Sequence, residues 1–154
     1  MELADLKKQY EPLSKKHNLP NFNKLNEEFE IDKIDRETDF LLRLIRKTMM
    51  EKIVNSLGFI EMLLNPVNAP RLYLGYIKSI SQDDKEKIDK IYESLADLSL
   101  SSLALELSSD ETKEAELISK IYNKWASLKP DFKKIMDDMK NPKSVAKKEK
   151  SYYG

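Results

Sequence analysis

The sequence predicts an all-α fold, a single-domain irregular helical bundle with one long central helix. Three observations carry this expectation. Glycine occurs only three times, at Gly58, Gly75 and Gly154. Leu, Ile, Lys and Glu are abundant and no long β-branched run interrupts them, which favours helix over strand. Apolar residues also recur at intervals of three and four along most of the chain, the spacing of one helix face.

The first helix is expected over about 3–17, where Leu3, Leu6, Tyr10 and Leu13 share a face. Pro12 would kink or restart it, because an interior proline removes one hydrogen bond and crowds the preceding turn. After the break "HNLPNF", Asn21 can cap a short helix carrying Phe22, Leu25 and Phe29.

The central helix is expected over 33–64. At about 100° per residue, Phe40, Leu41, Leu42, Leu44, Ile45, Met49 and Ile53 occupy well over half of its circumference. Arg43, Arg46 and Lys47 share the narrow remainder with Asp39 and Met50. A stripe that broad must be covered on two sides, so the cations read as the wet seam of a sandwiched helix, with Asp39 and Arg43 as an i,i+4 pair. The rival reading is a groove in which Arg43 and Arg46, flanked by Lys47, meet an anion or a partner. Gly58 marks a kink or the close approach of another helix.

"NPVNAP", residues 65–70, is a clear break. Residues 71–80 read as a short helix, although Leu72, Leu74 and Tyr76 also alternate as a strand would. Ser81 caps the next helix, which has Asp83 and Asp84 in its first turn and Ile88, Ile91, Tyr92 and Leu95 as its stripe. Residues 98–107 are ambiguous between helix and strand, and a separate short helix after a turn near Ser99 is expected. Ser108 and Glu111 form a capping box for a helix over 109–126. Pro130 then opens a last helix over 130–140, and these two helices should pack across the central one.

Chemistry is mostly excluded. There is no cysteine and one histidine, His17. Thiolate metal sites, Cys nucleophiles and His-rich zinc sites are therefore ruled out, and His17 reads as exposed or helix-capping. Glu28, Asp32, Asp35 and Asp39 could gather on one face for a hard cation, but interleaved Lys33 and Arg36 favour a solvated, ion-paired surface. No phosphate loop or nucleophile elbow occurs, and no cofactor or metal is expected. Trp125 reads as core, or else as a partner anchor beside Lys129 and Phe132. Met49, Met50, Met136 and Met139 read as adaptable core, or as a soft groove for another helix.

Formal charge is zero overall but uneven. Residues 1–139 carry 22 Lys+Arg and 26 Asp+Glu, whereas residues 140–154 carry five lysines and one glutamate. The reading is therefore a helical domain over 1–140 and a basic, disordered tail over 141–154. In the tail, Lys143, Lys147, Lys148 and Lys150 could bind a polyanion while Tyr152 or Tyr153 stacks on a base. The N-terminus lacks the pattern of a secretion signal and no stretch is apolar enough to span a membrane, so a cytoplasmic protein is expected. The function expected is a non-enzymatic protein–protein interaction or scaffold role, with self-association as one form of it. The alternatives are nucleic-acid binding through the tail and an enzyme with a charged inter-helical pocket.

Overall fold

The computed structural model describes residues 2–141, and among them six α-helices and no strand occur. The helices are α1 (Leu3–His17), α2 (Phe22–Phe29), α3 (Leu41–Leu64), α4 (Arg71–Lys78), α5 (Gln82–Glu106) and α6 (Glu111–Lys140). Helix α3 packs chiefly against α5 and α6, which also pack against each other. Arg46 near the start of α3 meets Glu106 at the end of α5 and Glu114 at the start of α6. The polypeptide in α5 therefore runs against α3, and that in α6 runs with it. Helices α1 and α2 cover one flank, and α4 touches α6 at the far end.

Local chemistry explains the boundaries. Asn21 accepts a hydrogen bond from the Lys24 N–H at 2.9 Å, and Ser81 accepts from Asp84 N–H at 3.1 Å, the two caps legible in the sequence. Helix α2 ends at Glu30, whose φ of 52° is left-handed and cannot continue a right-handed helix. Tyr10 is buried and donates its hydroxyl to the carbonyl of Pro20 at 2.5 Å, tying α1 to the turn that follows it. Burial pushes that hydroxyl up to about 12.

Several expected boundaries need correction. The central helix begins at Leu41, not near residue 33; Ile31–Lys33 is a short 3₁₀ turn. Ile31 and Ile34 are both buried, and a period of three satisfies that spacing as well as a helix does. Phe40, placed on the apolar stripe, precedes the helix and is exposed. No turn breaks the chain at Ser99, because α5 continues to Glu106 with Leu98, Ser102 and Leu105 facing inward. The cap of α6 is Asp110, which accepts from Lys113 N–H, and not Ser108. Helices 109–126 and 130–140 are one helix with Pro130 inside it. Ala126 and Pro130 both lie on the exposed face, where solvent can replace the bond that proline cannot make. Pro12 is likewise inside a continuous α1. A Cβ added at Gly58 would meet nothing within 4 Å, so no helix approaches closely there.

The sandwich itself holds. Leu41, Leu42, Ile45, Met49, Met50 and Ile53 of α3 are buried by the chain's own helices. Yet α3 is not the longest helix, since α5 and α6 have 25 and 30 residues against its 24.

Candidate functional site

Arg43, Arg46 and Lys47 converge on one carboxylate; Lys47 is exposed and Arg43 half-buried, but Arg46 departs from the wet-seam reading. Arg46 is 1% exposed and sits where α3, α5 and α6 meet. Its Nε donates to Glu114 Oε2 at 2.7 Å and its Nη2 to Glu114 Oε1 at 3.1 Å, a two-pronged pairing. Its Nη1 donates to Ser102 Oγ at 2.7 Å and to Glu106 Oε1 at 2.9 Å. Glu114 is itself only 3% exposed. Wheel geometry placed Arg46 in solvent because it cannot foresee carboxylates arriving from two other helices. Burial works against the Arg46 charge, but the hydrogen bonds it donates to Glu114 and Glu106 outweigh it and raise its affinity for the proton.

Arg43 does not pair with Asp39. Its Nη2 donates to Glu106 Oε2 at 2.7 Å and its Nη1 to the Ser108 carbonyl at 3.2 Å. Lys47 Nζ lies 3.4 Å from the same Glu106 carboxylate. Hydrogen bonds from Arg43 and then Arg46 hold Glu106 down at about 2. Beside this clasp lies a cleft of about 530 Å³ between α1, the loop before α3 and the start of α6. Arg43, Asp39, Asp110, Glu111 and Glu114 line it, but Arg46 does not. Glu114 is bound by Arg46, Asp110 caps α6, and Glu111 takes His17 Nε2 at 2.8 Å and Lys16 Nζ at 3.1 Å. The hydrogen bonds in this cleft therefore join α1, α3, α5 and α6 to one another.

The carboxylates Glu28, Asp32, Asp35 and Asp39 do not share a helix face, because the chain leaves α2 after Phe29. Among the described residues no group of three or more His, Cys, Asp or Glu side chains is placed to hold a metal ion. Glu28 instead accepts from Trp125 Nε1 at 3.2 Å and from Lys129 Nζ at 2.7 Å. Trp125 is buried, in agreement with its reading as core. Lys52 Nζ stands 5.2 Å from the Trp125 ring centre and 5.6 Å from that of Phe29.

One open apolar surface lies at the other end of the bundle. Rings follow one another from Phe29 to Trp125 (6.5 Å between centroids), to Phe132 (6.1 Å) and to Phe59 (6.1 Å). Above them run two hollows of about 540 and 340 Å³ that share Phe59 and Met136. The first is flanked by Glu30, Lys33, Glu51 and Lys52, and the second is walled by Leu72, Tyr73, Tyr76 and Met139. Helix α4 supplies the far wall and buries none of its own residues; Leu72 is 74% exposed. Met136 is exposed and Met139 buried at this groove, whereas Met49 and Met50 are core. The sequence pointed to Met136 and Met139 but missed Phe59, Tyr73 and Tyr76. Their signal was α4 itself, an apolar-striped helix of only eight residues with prolines in the preceding break.

The tail residues Lys143, Lys147, Lys148, Lys150, Tyr152 and Tyr153 lie outside the described residues. No helix among the described residues is long and apolar enough to cross a membrane. Compared with known proteins, the chain matches no family model, no curated sequence and no solved structure.

Proposed function

We propose that the chain is a helical protein–protein interaction or scaffold protein whose docking face is the groove between α3, α4 and α6. The observation that carries this reading is the open groove with Phe59 and Met136 on its floor and Tyr73 and Tyr76 on the wall supplied by α4, a helix with no fully buried residue. Aromatic and methionine side chains supply large, adaptable apolar contact, and a groove of parallel helices suits an amphipathic helix laid along it. The expected partner segment carries apolar anchors at i, i+3 or i+4 and i+7. An enzyme reading has less support, because the charged groups of the clasp are engaged in holding helices together.

Selection of displayed peptides on the folded full chain tests the proposal. Enriched peptides should share that helical spacing and lose binding to Met136→Glu and Tyr76→Ala chains that retain their far-UV circular dichroism. Peptides that bind these variants as well as the parent would overturn it.

A further inference from the structure

We infer that a second surface, at the clasp end of α5, binds a second copy of this chain in an antiparallel, two-fold arrangement. Leu100, Leu103 and Leu107 are 68, 61 and 90% exposed, and Ala104 between them is exposed too. Their spacing of three, one and three residues is symmetric about the midpoint of Leu103 and Ala104. Two copies crossing antiparallel at that midpoint set each Leu100 against Leu107 of the second copy. They also set each Leu103 against the small Ala104 of the second copy, so a large side chain meets a gap from both directions. A two-fold contact needs this self-complementary pattern, in which residue i meets j and j meets i.

Charge does not oppose the contact. Between Leu98 and Ser109 the only ionisable side chain is Glu106, and Arg43, Arg46 and Lys47 already neutralise it. Three leucines fall short of the roughly 800 Å² per partner typical of a stable complex, so the association is weak and concentration-dependent. The surface is separate from the proposed docking groove. Arg46, bonded to Ser102 of this stretch, and Phe59, in the groove, stand 13 residues apart on α3, or about 20 Å. Self-association therefore does not depend on the docking proposal.

Sedimentation equilibrium of the full chain, from about 10 μM to about 1 mM, should show monomers passing into dimers. Leu103→Glu should weaken the dimer at least about tenfold with unchanged circular dichroism, since the side chain is exposed. Leu100→Lys and Leu107→Glu should each weaken it alone, and mixing the two variants should restore association through one Lys–Glu and one Leu–Leu contact. Tyr76→Ala should leave it intact. A chain that stays monomeric, a dimer indifferent to Leu103→Glu, or a mixture no stronger than its components would each overturn the inference. So would a dimer lost with Tyr76→Ala, since that would place the contact in the groove.

Discussion

At the residue scale the decisive side chain is Arg46. A guanidinium withdrawn from water is tolerable only when its N–H groups are matched, and here four hydrogen bonds to Glu114, Glu106 and Ser102 match them. Removing the cation alone strands Glu114 in the interior. Arg46→Met should therefore destabilise the fold by about 3–5 kcal/mol, whereas Arg46→Met with Glu114→Leu should recover most of that loss. Urea denaturation of the two single variants and the double variant measures this coupling, and additive losses would contradict it. Asp84 is a third buried charged residue, joined to Lys134 Nζ at 3.0 Å. Burial raises its affinity for the proton, and Asp138 nearby adds to that while Lys134 opposes it.

At the element scale, helix type was far more legible than helix ends. The caps at Asn21 and Ser81 could be read directly because a cap is a local event, settled within four residues. The ends near residue 33, Ser99 and Pro130 could not, because long-range burial decides them. Ser102 stays helical while its hydroxyl receives Arg46 from another helix, and nothing local announces that bond. Among the leucines of 98–107, Leu98 and Leu105 face the core while Leu100, Leu103 and Leu107 face outward; one step along the wheel separates core from surface. The candidate site suffered in the same way: the sequence marked Arg43, Arg46 and Lys47 as a group but could not supply Glu106 and Glu114. Gly58 is a further element-scale case. It lies on the exposed side of α3 with open space at its Cβ position, so Gly58→Ala should stiffen the helix without a clash. A gain of roughly 0.5–1 kcal/mol is expected in the same urea measurement, and a loss would mean that α3 needs its freedom at that point.

At the scale of the whole molecule, acid should act mainly through the clasp. Glu106 has an ordinary value of 4.5 and is held at about 2 in the folded chain. Below 4.5 the unfolded chain takes up the proton first, so the stability Glu106 lends is complete above that pH and drains away towards pH 2. Glu111, lowered by His17 and Lys16, and Glu28, lowered chiefly by Lys129, push in the same direction. Asp84 pushes the other way, because its raised affinity means that acid relieves a buried charge. Glu106 is about one-third exposed, so solvent screens its share. Thermal melts between neutral pH and about pH 2.5 should fall less steeply for Glu106→Gln than for the parent. Parallel curves would show that the clasp does not govern acid unfolding.

The chain contains a single indole, and it stands at the junction of α2, α3 and α6 between an ammonium and a carboxylate. Its ultraviolet emission is therefore a lamp fixed at one seam of the bundle, with no other tryptophan to dilute it. Any event that lifts α2 away from its neighbours changes the polarity around that lamp, even with the long helices still packed together.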